Sequence, residues 1–209
     1  MNIALSLILA VMLATADAQA PPVQRVGNCN VRPGTLCSNM NLRGADLAGA
    51  NLRHSQFTGS VLAGANLSGA NLDEANLSGT DLRNANLHAA SLRRVNARGV
   101  RFDDANLSNA QLDGAVLQNG HLNGADLSDA GLGGANLANA RLEKARAQGA
   151  KLQHANLRGS RLRGASLVNA NLEGANLSGA DLTDADLTGA NIDHVVFARA
   201  RTAGCKGCP

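Results

Sequence analysis

Ala65-Asn66-Leu67-Ser68-Gly69-Ala70-Asn71-Leu72 contains a five-residue cycle: a small residue, Asn or Asp, Leu, a polar residue, Gly. With the Leu taken as centre, centres recur at every fifth residue from Leu42 to Phe197, 32 positions with no slip of phase. Twenty-six of them are Leu; the rest are Phe57, Phe102, Phe197, Ile192 and the small Ala97 and Ala147. Ala stands two residues before the centre at 23 of these positions, Asn or Asp directly before it at 18, and Gly two after it at 16.

A period of five fits neither a helix at 3.6 residues per turn nor a flat strand at 2. In a helix the Leu residues would walk around every face, and each Gly would cost about 1 kcal/mol. Strict short periodicity over most of a chain marks a solenoid. The Ala and the Leu must point inward, and the other three residues outward. The chain therefore turns after nearly every pentad. The Gly or Asn two past the centre tolerates the positive φ that such a turn can need.

This pattern resembles the pentapeptide-repeat family, whose motif is A(D/N)LXX, and the resemblance covers residues 40–199. It implies an all-β fold, a right-handed quadrilateral β-helix in which four pentads close one square coil. The 32 pentads would then make about eight coils, a rod roughly 38 Å long at the inter-strand spacing of about 4.8 Å. Residues i and i+20 should stack. Nine opposite-charge pairs occur at that spacing, among them Arg53/Asp73, Glu74/Arg94, Asp81/Arg101, Asp126/Arg146 and Arg161/Asp181, against two like-charge pairs. A spacing of 15 gives six against two, so the charges support the coil of twenty without proving it.

Residues 1–18 read as a signal peptide: an apolar run from Ile3 to Ala16, too short to span a bilayer, then the Ala16-Asp17-Ala18 cleavage site. No Lys or Arg precedes the run. Cleavage would start the mature chain at Gln19, remove Asp17 and raise the net charge from +3 to +4. Residues 19–39 then form an N-terminal cap segment, 40–199 the β-helix and 200–209 a C-terminal tail. A periplasmic or secreted location follows.

All four cysteines lie outside the Leu repeat: Cys29 and Cys37 before it, Cys205 and Cys208 after it. An even number in an exported chain reads first as disulfides. Opposite ends of a 38 Å rod cannot meet, since a disulfide needs Cα atoms within about 7 Å. The expected pairs are Cys29–Cys37 and Cys205–Cys208, the latter alternatively a link between molecules. A redox or zinc role for Cys205-Lys206-Gly207-Cys208 ranks below a structural one, because no strand-to-helix context surrounds it. Cys37 falls in the centre phase, so the first loop should fold under the first coil.

The small centre Ala97 is flanked by the larger Val95 and Val100, which suggests volume compensation; nothing near Ala147 is enlarged, so a void is expected there. Charge is banded, with five Arg and no acid over 83–101, and five Asp and no Lys or Arg over 103–129. Arg101, His121, Arg141 and Arg161 each precede a centre, one per coil, and should form one exposed column able to hold a polyanion. The other histidines do not cluster, so no metal and no cofactor is expected, and no Ser, Cys or acid sits in a catalytic context. The chain reads as a non-enzymatic structural or protein-interaction scaffold. The alternative is a polyanion-binding module using the basic column. Some members of the family imitate duplex DNA and bind DNA gyrase; a topoisomerase-binding mimic ranks below both, because such mimics are acidic. The outward Thr58, Thr183 and Thr188 are too scattered for an ice-binding row. The expected partner is a protein or polyanionic surface, not nucleic acid, for a rod that spans no membrane and is a monomer or an end-to-end dimer.

Overall fold

The computed structural model describes residues 24–209; the signal-peptide reading lies outside them. The chain opens with an antiparallel hairpin, β1 (Gln24–Val26) and β2 (Cys29–Val31), in which Val26 faces Cys29 and Gln24 faces Val31. From Leu36 onward every fifth residue forms a parallel bridge with the residue twenty positions on, ending at Asp186 with Lys206. Twenty residues with a turn in every pentad make a four-sided coil. One face can be followed through Leu36, Gln56, Asn76, Asn96, Val116, Asn136, Asn156, Asn176 and Val196, each bridged to the next.

The ladder starts before residue 40 and runs past 199. Cys37 and Thr202 occupy centre positions without being large aliphatic residues, so a count of apolar centres stops short of the folded coil. Most of the segment 200–209 is the last side of the rod: Lys206 N–H donates to Ala185 O at 2.9 Å and Leu187 N–H to Lys206 O at 2.7 Å.

The pentad closes because each of its five N–H groups finds an acceptor. In 65–69, Ala65 donates to Leu62 O of the preceding turn (3.0 Å). Asn66 donates to Ala45 O one coil below (2.9 Å), while Leu67 and Gly69 donate to Asn86 O and His88 O one coil above (2.7 and 2.9 Å). The fifth, Ser68 N–H, has no backbone partner and goes to Asn66 Oδ1 at 3.3 Å. This is an Asx turn, and it explains the Asn or Asp before the centre. Every such residue in the repeat but Asn96 caps the N–H two positions on. The residue two past the centre has positive φ even where it is His54 (φ 58), Glu74 (φ 59) or Arg94 (φ 52), as the third position of a type II turn demands.

Leu centres and the inward Ala residues fill a continuous core. At three of the small positions that carry a hydroxyl, that group bonds a carbonyl of the coil below: Thr80 Oγ1 donates to Phe57 O at 2.8 Å, Ser55 Oγ to Arg32 O and Ser60 Oγ to Cys37 O, while the buried Ser160 hydroxyl has no partner among the described residues. Val95, Ala97, Val100 and Phe102 are all fully buried. Gly120 lies one coil above Val100 at a position that is usually Ala; a Cβ there would crowd Leu117 O at 2.9 Å and Leu122 Cδ1 at 3.2 Å, and would reach ordinary contact with Val100 Cγ1 at 3.5 Å. The larger Val100 is thus matched by a smaller neighbour. Around Ala147 no such exchange occurs. It retains 4% exposure between Leu142 and Leu152 at 4% and 3%, against 0% for Ala97. Refilling the two sites should separate them. Ala97→Leu overpacks and should lower the unfolding free energy by about 1–3 kcal/mol. Ala147→Leu should leave it unchanged or raise it by up to about 1 kcal/mol, from the added buried methyl groups. Denaturant unfolding of both variants checks this, and equal losses would contradict the difference in packing.

Candidate functional site

Arg101, His121, Arg141 and Arg161 occupy four successive rungs of one face: Arg101 bridges His121, His121 bridges Arg141, and Arg141 bridges Arg161. The three arginines are exposed and His121 is half-buried. Bridge carbons stack at about 4.8 Å, so the column extends about 14 Å along the rod. Asp81 stands on the rung below and Asp181 on the rung above.

Neither acid pairs with the column. Asp81 is gripped by Arg83 of its own pentad, Oδ1 to Nε at 2.8 Å and Oδ2 to Nη2 at 2.7 Å. Asp181 accepts from the Thr183 hydroxyl at 2.6 Å and pairs with Arg201 at 3.1 Å. The stacked pairs expected at Asp81/Arg101 and Arg161/Asp181 are therefore not formed. Two others are: Arg94 meets Glu74 at 2.8 Å and Arg146 meets Asp126 at 2.9 Å. At two further rungs the acid is taken by the backbone. Ser91 and Gly131 stand where an Asx cap is missing, and Asp73 and Asp113 from the coil below take the orphaned N–H groups of Arg93 (3.0 Å) and Gly133 (3.1 Å). Asp73 and Asp113, held by these N–H groups, make no ion pair with Arg53 or Arg93, whereas Asp126 caps Ser128 through Oδ1 and still meets Arg146 through Oδ2.

Cys29 is bonded to Cys37 with Cα atoms 5.4 Å apart, and Cys205 to Cys208 at 5.8 Å. The first disulfide ties the hairpin beneath the first coil, where Val26 and Val31 pack against the core. The other end is more open. Ile192, Val195 and Phe197 are only half-buried, and Val196 is 46% exposed. Shallow depressions lie beside Arg158 and Arg199, and at Glu143, Lys144, Arg163 and Asp184. His54 contacts Glu74 and His88 contacts Ser108, each one coil on. Among the described residues no group of three or more His, Cys, Asp or Glu is placed to hold a metal ion, and no helix is long and apolar enough to cross a membrane.

With this geometry, the sequence model described as pentapeptide repeats matches eight copies between residues 37 and 201, and the chain belongs to that family. Similar solved structures include HetL, a pentapeptide repeat protein involved in heterocyst differentiation regulation from the cyanobacterium Nostoc sp. strain PCC 7120. It is 32% identical over 83% of this chain and 87% of its own, with a TM-score of 0.47. Full-length QnrB1, a plasmid-mediated fluoroquinolone resistance protein, is 19% identical over 80% of this chain and 91% of its own, with a TM-score of 0.53, and shares the fold. No curated protein sequence matches the chain.

The capping carboxylates set an acid limit. The Arg83 guanidinium holds Asp81 below the usual carboxylate range, and the Thr183 hydroxyl does the same for Asp181, in each case against the opposing effect of burial. At Asp126 burial pushes the carboxyl up, but the Ser128 and Arg146 hydrogen bonds together outweigh it. A depressed folded-state value contributes stability above the unfolded value of about 4, and that contribution is lost as pH falls through the folded value. Stability should therefore be steady near pH 7 and decline below about pH 4. Asn keeps the capping oxygen but not the charge, so Asp81→Asn with Asp181→Asn should lower stability at neutral pH toward the acid value of the native chain and flatten the acid decline. Thermal melts between pH 2 and 7 check this; an unaltered acid limb would show that these two carboxylates do not set it.

Proposed function

We propose that this chain is an exported, non-catalytic rod that acts by binding or scaffolding, with the right-handed coil that the resemblance implies. The observation that carries the reading is how completely the repeat consumes its side chains. Two residues of each pentad fill the core, and a third caps the backbone. Function is left to outward positions held at fixed rungs, a surface suited to contact rather than to a concave reaction site. Two disulfides suit an oxidising compartment. The half-buried Ile192, Val195 and Phe197 at the C-terminal end suit a second copy, so the rod acts as a monomer or an end-to-end dimer. A DNA-mimic role toward a topoisomerase is disfavoured by the net positive charge and by the exposed arginine column.

Expression of the full chain, followed by mass measurement and capture from envelope extract, tests the reading. The expected result is a mature chain beginning at Gln19 in the envelope fraction, retaining a bound partner. A chain that keeps Met1 and stays in the cytoplasm would overturn export and revive the topoisomerase reading.

A further inference from the structure

We infer that the face carrying Arg101, His121, Arg141 and Arg161 is a binding site for one chain of an acidic polysaccharide lying along the rod axis. The inference rests on the reading of the molecule as a contact surface. Three observations carry it.

The first is charge left without a contact partner, Arg101 meeting the Asp81 carboxylate only through a longer-range attraction. The guanidinium groups of Arg101, Arg141 and Arg161 make no hydrogen bond or ion pair among the described residues. The acids that end the column, Asp81 and Asp181, are turned to Arg83 and to Thr183 and Arg201. Arg98 and Arg158 stand three residues before Arg101 and Arg161, across the preceding corner, and both are exposed. They widen the positive strip at its two ends.

The second is a set of backbone donors. In a regular pentad the residue before the centre accepts the N–H two positions on. Here that residue is Arg or His, which cannot cap in this way as a cation, and the N–H groups of Asp103, Asn123 and Arg163 have no protein acceptor. Only Glu143 N–H is taken, by Asn123 Oδ1 at 3.1 Å. Three of the four rungs thus present a cationic or imidazole side chain with an unused N–H beside it. A carboxylate or sulfate can accept from both, and charge-assisted bonds of this kind are roughly twice as strong as neutral ones.

The third is what the face lacks. Phe57 and Phe102 are buried, Trp and Tyr do not occur, and the exposed large apolar residues, Leu36 and Val196, lie on another face. Single-stranded nucleic acid is gripped by stacking on aromatic rings, and protein interfaces centre on buried aromatic or apolar anchors. Neither is available here. A straight row of cations at about 4.8 Å intervals, with no apolar platform, fits an extended chain recognised by its repeated charges alone. Asp103 and Glu143 border the row toward the next corner and set a limit on its affinity.

Binding of polygalacturonate, dextran sulfate and neutral dextran should be measured by calorimetry at low and high salt. The two acidic polymers are expected to bind, with affinity falling steeply as salt rises, and neutral dextran is not. Arg141→Glu with Arg161→Glu should weaken binding at least tenfold with an unchanged melting temperature, and His121→Arg should strengthen it. Arg53→Glu with Lys151→Glu makes the same charge change on a different face of the rod and should leave binding within about twofold. Equal loss in that control would overturn the site, as would no binding of either acidic polymer at low salt. Equal or tighter binding of single-stranded DNA or polyglutamate would overturn the polysaccharide assignment. A protein captured equally by native and Arg141/Arg161 chains, with no polysaccharide bound, would overturn this inference alone and leave the interaction rod standing.

Discussion

The constraint on which the structure depends is that a chain turning every five residues must still satisfy five backbone N–H groups per pentad. Two bond to the coil above, one to the coil below and one to the preceding turn. The fifth needs a side chain. That N–H belongs to an outward residue that water can reach, so a missing cap forfeits about the 0.5–1.5 kcal/mol of a net hydrogen bond. Such a deficit repeated at every turn would still rival the whole stability of an ordinary domain. Asn and Asp before the centre remove it locally. The Leu core supplies the driving force, but the Asx cap makes the five-residue turn cheap enough to repeat.

The coil was legible in the sequence because its period is strict and fits no other element. The charge pattern at i+20 also pointed to the ladder, although for a partly mistaken reason. Asp73 and Asp113 lie where opposite-charge stacking would put them, yet they serve Arg93 and Gly133 through backbone N–H groups rather than side-chain charge. One-dimensional spacing cannot tell a cap from an ion pair, since both place an acid at the same rung. The ends were less legible because they break the apolar rule while keeping the backbone rule. Cys37 and Thr202 sit in phase, and the ladder accepts them because bridging involves no side chain. The exchange between Val100 and Gly120 was hidden for another reason: its partners are twenty residues apart and on no recognised motif.

The column at Arg101, His121, Arg141 and Arg161 was legible as a placement, and the structure adds what the placement gives up. Loss of an Asx cap is not unusual in this chain. Lys151, Gln111 and Val116 also lack one. Around Ser91 and Gly131 an acid from the coil below repairs the loss. On the basic face the repair occurs at one rung, from Asn123 to Glu143, and the remaining donors stay open beside cations. A solenoid surface drifts easily, because each outward residue contacts only its neighbours one coil away. Drift alone would scatter basic residues among the pentads. Here they fall on four successive rungs of one face, and each forgoes its cap by the same substitution. Where the repeat forgoes its own acceptor and supplies only donors, the missing acceptor has to come from solvent or from an anionic partner, and a row of such rungs favours a partner whose charges also repeat.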